Sequence, residues 1–218
     1  MKKNQTWLNH LLNLLSVILG VYLAFYINDR AKSAAEKKEG LLLMQSMVND
    51  IAADIKTYSE YQIPANNQQL EGIDSLLVLL SNNDKEKISI QLPTIFQVEN
   101  YTPSSSTYNS IKSSGKIKLI DDLALQKKLS DYYDGLAVEC MKKNELQANY
   151  FINELVSWLT VNADLMEMKL FKEGEWTVLS NKLLIYQSFI NQKVNNYEMI
   201  VEESTALKVQ LDSLIHVK

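Results

Sequence analysis

The sequence predicts an all-α protein: an N-terminal transmembrane helix that continues into a helical bundle of about three long helices and one or two short ones. The chain of 218 residues contains only 6 Gly and 3 Pro, and so few turn-forming residues favour long helices over many strands. An uncharged apolar stretch lies near the N-terminus, and apolar residues recur at helical spacing downstream. The hydrophobic content of 46% is typical of a folded chain.

The composition argues against several classes of function. A net charge of -4 gives no electrostatic basis for binding nucleic acid. The single cysteine, Cys140, excludes an internal disulfide framework, and the two histidines, His10 and His216, lie at opposite ends of the chain. No Gly-rich phosphate loop, zinc-binding pattern or nucleophile elbow is present. We therefore expect no metal, no cofactor, no nucleic-acid partner and no enzymatic activity.

The N-terminal apolar stretch predicts a transmembrane helix over residues 7–28, preceded by a short tail, residues 1–6. No Asp, Glu, Lys or Arg occurs between Asn4 and Asn28. At about 1.5 Å per residue, the stretch from Trp7 to Ile27 spans roughly 31 Å, which matches the hydrocarbon core of a bilayer. Trp7 at one end and Tyr22 and Tyr26 near the other suit the two membrane interfaces. We expect membrane lipid to surround this helix.

Two other interpretations of this stretch remain open. A cleaved signal peptide would explain Lys2 and Lys3 before an apolar run. Such a peptide has a shorter apolar region followed at once by a small-residue cleavage site, whereas Asn28 and Asp29 follow here. A buried core helix is the third interpretation, but a soluble helix normally has a polar face.

Small and amide residues form one stripe on the predicted span. The stripe consists of Asn9, Asn13, Ser16, Gly20 and Ala24, at helical steps of three and four. Small residues allow close approach of helices in lipid, and Asn or Ser can form hydrogen bonds across the contact. We predict that Asn13, Ser16, Gly20 and Ala24 contact a second helix in the membrane, from another membrane protein or from a second copy of this chain. Simple tolerance of these residues in a lone span is the alternative.

The charges flanking the span bear on its orientation. Lys2 and Lys3 precede it, and Arg30, Lys32, Lys37 and Lys38 follow it within a short distance. A plain count favours the domain inside the cell, but long domains cross largely regardless of charge. We expect a single-pass protein with its N-terminus inside the cell and its soluble domain outside.

A helical extension of the span is predicted over residues 29–62, ending before Pro64. Its apolar residues follow a 3-4 spacing that resembles a heptad seam. This seam packs either against helices of the same chain or in an intermolecular coiled coil. The seam consists of Leu41, Met44, Val48, Ile51, Ile55 and Tyr58.

Residues 63–218 are expected to form the bundle domain, which packs with the extension. A second helix is predicted over residues 67–80, and residues 84–103 read as a loop with an extended stretch over Ile88–Leu92. Serines after Pro103 are candidate caps for a short helix that ends at Gly115. Asp121 and Asp122 suit the N-terminus of the next helix, which runs to about Asn162, with or without a break at Gly135. A connection covers residues 166–180.

The last helix is predicted to start near Asn181 and has the clearest periodicity in the chain. Its apolar face includes Ile190, Val194, Tyr197, Leu207 and Leu211. Four tyrosines elsewhere are candidates for contact with a ligand or partner, although half-buried packing is the commoner role of tyrosine at helical spacing. They are Tyr101, Tyr108, Tyr132 and Tyr133.

Two stretches of the chain resemble a family of small bacterial membrane proteins of unknown function, common in Gram-negative envelopes. The first is the end of the span, Leu19–Asn28, although the family usually has a tryptophan soon after the Asn and this chain has Asp29 and Arg30. The second runs from Tyr108 to Asp121 and is followed by Leu125, Leu129 and the pair Tyr132 and Tyr133. The resemblance implies an envelope protein without known enzymatic activity, and it assigns no catalytic residues. Together with the expected orientation, it implies a single-pass protein of the bacterial inner membrane with its soluble domain in the periplasm.

These expectations combine into a predicted function. The chain is expected to be a membrane-anchored helical scaffold or accessory subunit of an envelope membrane protein complex, which binds a protein partner through its span and bundle. The alternative is a ligand-sensing extracytoplasmic bundle that signals through a partner protein.

Overall fold

The computed structural model describes residues 2–171 and 176–216, with the side chains of residues 2–6, 8 and 9 left out. The described chain is all-α apart from one short hairpin. Its first helical stretch comprises α1 (Lys2–Thr57), a π-helical turn (Tyr58–Gln62) and α2 (Ile63–Ser81), which follow one another without a gap. The predicted tail, residues 1–6, therefore lies in helix α1 from Lys2 onward, and Met1 lies outside the described residues.

The predicted helix end before Pro64 is wrong, because the helix continues through this proline. Proline has no N–H to donate to the carbonyl four residues earlier, and its ring crowds that carbonyl. Directly before it, the N–H of Ile63 donates to the oxygen of Tyr58, five residues back. This wider turn is the type of local adjustment that lets a helix accommodate a proline.

The predicted extended stretch over Ile88–Leu92 is also wrong. These residues lie in α3 (Lys85–Gln91), where the Asp84 carboxylate accepts from the N–H of Lys87, and in a 3₁₀ segment (Leu92–Phe96). Ile88, Leu92 and Ile95 are buried, at helical spacing, whereas Ile90 is 78% exposed. The apolar alternation that suggested a strand thus mixed two faces of a helix.

The turn predicted at Gly115 and the cap predicted for the following helix agree with the structure. Helix α4 (Ser106–Ser113) is followed by Gly115, whose φ of 69° is the left-handed conformation that glycine favours. Ser105 occupies the N-cap position of α4, as the sequence predicts for one of these serines, but its side chain makes no capping hydrogen bond. A 3₁₀ segment (Lys116–Leu119) leads to α5 (Leu123–Ser130), which Asp122 caps through the N–H groups of Ala124 and Leu125.

Helix α5 belongs to a second long helical stretch that ends where the sequence predicts. It comprises α5, a π-helical turn (Asp131–Leu136), α6 (Ala137–Tyr150), a second π-helical turn (Phe151–Val156) and α7 (Ser157–Asn162). Gly135 lies inside the first of these turns, and the helix does not break there.

A two-stranded antiparallel hairpin follows, made of β1 (Ala163–Asp164) and β2 (Lys169–Leu170). The last helix, α8 (Trp176–His216), begins five residues before the predicted start at Asn181. The indole N–H of Trp176 donates to the side chain of Asn83 over 2.7 Å, which ties the start of α8 to the end of α2.

Helix α8 packs against α1, α2 and α6 and contributes to both of the apolar cores. The proximal core lies nearest the apolar N-terminal segment and includes Met44, Ile51, Leu129, Leu207 and Leu211. The distal core lies nearest the hairpin and includes Ile73, Leu76, Leu155, Leu183 and Ile190. We call residues 39–171 and 176–216, which surround these cores, the helical body.

The apolar N-terminal segment lies outside both cores. Every residue from His10 to Lys38 is exposed, and the most apolar part of the segment has no buried residue. In the described chain, this is one helix that is long and apolar enough to cross a membrane.

Candidate functional site

The stripe predicted for contact within the membrane is fully accessible. Asn13, Ser16, Gly20 and Ala24 are all exposed, and a Cβ placed on Gly20 would have no neighbour within 4 Å apart from the adjoining residues and backbone of its own helix. The Ser16 hydroxyl donates to the carbonyl of Leu12 over 2.9 Å, so its own helix satisfies it. The stripe is therefore open to a second helix, and that contact remains a prediction. Asn9 lies outside the described side chains.

The predicted seam on α1 faces the interior of the helical body. Met44, Val48, Ile51 and Tyr58 are buried, and Leu41 and Ile55 are partly buried against the proximal core. Helix α8 of the same chain packs against this part of α1. The seam is thus covered within the chain, as the packing alternative predicts, and this face is closed to an intermolecular coiled coil.

The four candidate tyrosines lie in or against the proximal core. The rings of Tyr108 and Tyr133 stack with their centroids 4.5 Å apart, and Tyr132 meets Tyr133 edge to face at 4.8 Å. Tyr101 is partly buried and packs edge to face on Tyr58 at 5.1 Å. These rings contact one another, which accounts for them as core residues. Their role in binding a ligand or partner remains a prediction.

An irregular segment crosses the body between the two cores, and we call it the strap (residues 97–105). A segment without regular structure must find other partners for its backbone N–H and C=O groups. Here most of them come from side chains on five helical elements: α1, the π-turn after it, α2, α6 and α8. These polar side chains are therefore bonded to the strap rather than to solvent.

The carbonyl of Tyr101 is the most heavily bonded group of the strap. It accepts from Asn144 Nδ2 at 2.8 Å, from the Tyr58 hydroxyl at 3.2 Å and from the Cys140 thiol at 3.4 Å. The N–H of the same residue donates to the Tyr197 hydroxyl over 3.2 Å. Burial raises the pKa of Cys140 to about 11, so the thiol remains a neutral donor.

Asp54 of α1 holds the C-terminal half of the strap. Its side chain is fully buried and accepts from the Tyr101 hydroxyl at 2.7 Å and from the Ser104 N–H at 3.0 Å. Burial raises the pKa of Asp54, and these two hydrogen bonds oppose the rise. Burial and the neighbouring Asp54 together raise the pKa of Tyr101 to about 12. The Tyr101 hydroxyl therefore keeps the proton that it donates to Asp54.

Lys193 of α8 holds the N-terminal half of the strap. Its side chain is fully buried, and its Nζ donates to the carbonyl of Glu99 at 2.8 Å and to Asn100 Oδ1 at 2.9 Å. A third acceptor is the Gln147 side-chain oxygen. Three oxygens match the three N–H donors of an ammonium group. Burial nevertheless lowers the pKa of Lys193 to about 7, because all three acceptors are formally neutral.

The strap thus lies between the buried amino group of Lys193 and the buried carboxyl group of Asp54. The Lys193 nitrogen donates to oxygen atoms, and Asp54 accepts from an N–H and a hydroxyl, so each group meets complementary dipoles. Several buried side-chain amide atoms have no hydrogen-bond partner in the described chain. They are the Oε1 atoms of Gln62 and Gln69, the Oδ1 of Asn66, and both polar atoms of Asn196.

Sequence reasoning missed Asp54 and Lys193, although a signal was present. Asp54 follows Ile51 by three residues and precedes Tyr58 by four, which places it on the buried seam. Lys193 follows Ile190 by three and precedes Tyr197 by four on the periodic face of the last helix. Both residues could have been found by looking for a charged side chain at a position where helical spacing predicts a buried one.

The described residues contain no group of three or more His, Cys, Asp or Glu side chains that could hold a metal ion. No protein-family model, curated protein or solved structure shows significant similarity to the chain. The arrangement of the chain's own residues is therefore the basis for a proposal about function.

Proposed function

We propose that this chain is a membrane-anchored helical scaffold or accessory subunit of an envelope membrane protein complex. One observation carries the proposal: the apolar segment after His10 is fully exposed and forms one unbroken helix with the α1 residues of the body. An exposed apolar surface of this length is unstable in water and requires lipid or protein around it.

The continuity of α1 gives the anchor a mechanical role in this proposal. The helix leaves the apolar segment at Asn28 and reaches its first buried residue, Gly40, twelve residues later, without a break in the helix. Movement of the span would therefore be passed directly to the helical body. A rigid connection suits a scaffold that holds its bundle at a fixed distance from the membrane.

The partner would contact the span through Asn13, Ser16, Gly20 and Ala24. These residues are free of contacts with the body, and an amide side chain in lipid gains most when another helix supplies its hydrogen-bond partner. A second membrane protein or a second copy of the chain would fit this surface. In this proposal the chain crosses the inner membrane once, and its helical body lies in the periplasm.

The alternative function, ligand sensing, has less support from the candidate tyrosines and from the polar layer between the cores. The candidate tyrosines pack against one another, and the polar layer between the cores is occupied by the strap. Neither arrangement provides an open, lined cavity of the kind that small ligands prefer.

The test is purification of the tagged full-length protein in mild detergent, followed by mass spectrometry of the proteins that accompany it. A membrane protein in stoichiometric amount, or a homo-oligomer, is the expected result for the wild type. Gly20→Leu should abolish this association without affecting insertion, because it blocks close helix approach. Ile18→Phe adds bulk to the opposite face and is the matched control. A wild-type protein that purifies as a lone monomer would contradict the proposal.

A further inference from the structure

The side-chain amide of Gln69 has hydrogen-bond partners for its nitrogen but none for its oxygen. Gln69 is fully buried on α2, and its Nε2 donates to the carbonyl oxygens of Thr94 and Ile95 at 3.3 and 3.4 Å. Exchanging the amide nitrogen and oxygen would turn the oxygen toward these two carbonyls, so the contacts fix the orientation of the amide. In the described chain no donor reaches the amide oxygen, Oε1.

Asn66 repeats this arrangement one helical turn earlier on α2. Its Nδ2 donates to the carbonyl oxygens of Gln62 at 2.7 Å and of Glu99 at 3.3 Å, whereas its Oδ1 has no donor among the described residues. Residues three apart lie on the same face of a helix, with their Cβ atoms about 5–6 Å apart. Helix α2 therefore carries two neighbouring buried amide oxygens, and each of them needs a hydrogen-bond donor.

The hydroxyl group of Tyr186 has the opposite requirement. Tyr186 is fully buried on α8, and its oxygen accepts from Gln69 Nε2 at 3.4 Å and from Gln147 Nε2 at 3.1 Å. Burial raises the pKa of Tyr186 and these two donors oppose the rise, so the hydroxyl keeps its proton. An amide nitrogen cannot accept a hydrogen bond. The Tyr186 proton therefore needs an acceptor other than these two partners.

A closed series of hydrogen bonds holds these three groups together. Asn66 and Lys193 both donate to the carbonyl oxygen of Glu99, and Lys193 also donates to the side-chain oxygen of Gln147. Gln147 in turn donates to Tyr186, which also accepts from Gln69, one helical turn from Asn66. Since the series returns to α2 where it began, the two amide oxygens and the hydroxyl proton belong to one compact polar cluster.

We propose that a buried water molecule binds among Asn66, Gln69 and Tyr186, and we call these three residues the water site. The water donates one hydrogen bond to each amide oxygen and accepts one from the Tyr186 hydroxyl. Buried waters typically make about three hydrogen bonds to otherwise unsatisfied polar groups, as this one does. A metal cation could bind the amide oxygens, but it could not accept the hydroxyl proton. The water site lies inside the helical body and is independent of the membrane anchor.

Solution NMR of the isotope-labelled full-length protein in detergent micelles tests the water site. The experiment measures transfer of magnetisation from water to the side-chain amide protons. Water held in place gives NOE and ROE cross-peaks of opposite sign, whereas chemical exchange gives cross-peaks of the same sign. Cross-peaks of opposite sign are expected at the Nε2 protons of Gln69 and at the Nδ2 protons of Asn66.

Asn144 is the matched control within the same protein. It is buried, its Nδ2 donates to the carbonyl of Tyr101, and its Oδ1 accepts from the Tyr197 hydroxyl at 2.8 Å. Asn144 thus lies beside a tyrosine hydroxyl, as Gln69 does, but both of its polar atoms have partners. It should give no such cross-peak. The absence of cross-peaks at Gln69 and Asn66, or an equally strong one at Asn144, would overturn the proposal.

The Lys193→Met variant excludes relay through the amine that shares the Glu99 carbonyl with Asn66. The Asn66 cross-peak should survive in this variant, because the proposed water does not contact Lys193. Its loss from a folded Lys193→Met protein would show that the signal came from the amine and would overturn the water site. If this variant does not fold, the comparison of Gln69 with Asn144 in the wild type still decides.

Discussion

The ammonium nitrogen of Lys193 lies 2.8 Å from the backbone carbonyl oxygen of Glu99, inside the helical body and without a carboxylate partner among its hydrogen bonds. This contact joins the longest helix of the body, α8, to the irregular strap. It also makes the stability of the body dependent on pH.

The first prediction concerns that dependence. Burial lowers the pKa of Lys193 from 10.5 to about 7, so between these values the folded protein binds fewer protons than the unfolded chain. The free energy of unfolding should therefore rise with pH from about 7 upward, by at most about 1.4 kcal/mol per pH unit from this group. Below pH 7 the residue is charged in both states, and its contribution to the slope vanishes.

Urea unfolding of the full chain in mild detergent at several pH values between 6 and 9 measures this slope. Lys193→Met should flatten it, and Lys142→Met, at an exposed position, should leave it unchanged. Cys140, Glu99 and Tyr197 also face Lys193 and are retained in both variants. A slope that survives in Lys193→Met would show that another group is responsible.

The second prediction concerns the carboxylate at the other end of the strap. Tyr101→Phe removes the hydroxyl that donates to Asp54 over 2.7 Å and leaves a buried carboxylate with one donor fewer. The expected loss is about 1–3 kcal/mol in the free energy of unfolding, and the pKa of Asp54 should rise further. Tyr61→Phe, at a side chain that is 55% exposed, should cost far less. Equal losses in the two variants would contradict the importance of the Asp54 contact.

The third prediction separates two glycines by their surroundings. A Cβ on Gly72 would overlap the hydroxyl oxygen of Thr94 and would lie 2.9 Å from the Thr94 Cβ. Gly72→Ala should therefore destabilise the body by about 1–3 kcal/mol, as overpacking does. Gly135 has open space around it, so Gly135→Ala should be neutral or stabilise by up to about 1 kcal/mol. Thermal unfolding of the two variants compares their stabilities. A Gly135→Ala protein less stable than Gly72→Ala would contradict the prediction.

Apolar periodicity was a good guide to the fold where one face of a helix is buried. The seam from Met44 to Tyr58 and the face from Ile190 to Leu211 lie in the cores that their spacing indicated. It failed at Ile90, which continued an apparent strand pattern but is exposed in a helix. The prediction made from Pro64 failed for a different reason: the helix continues through this proline after a π-helical turn, and such turns have no clear sequence signal.

The strap could not be predicted from local sequence. Its partners, such as Asn144 and Lys193, lie more than 40 residues from the groups that they bind. Propensity and spacing describe neighbours along the chain, whereas these hydrogen bonds depend on how distant helices pack. Only the presence of Asp54 and Lys193 at core registers hinted at buried polar contacts.

Fractionation of cells after alkaline carbonate extraction tests whether the exposed apolar helix lies in lipid. The full-length protein should stay in the membrane pellet, and Ile18→Arg, which places a charge in the middle of the apolar helix, should weaken this retention. Recovery of the full-length wild-type protein in the supernatant would show that the apolar helix is not a membrane anchor.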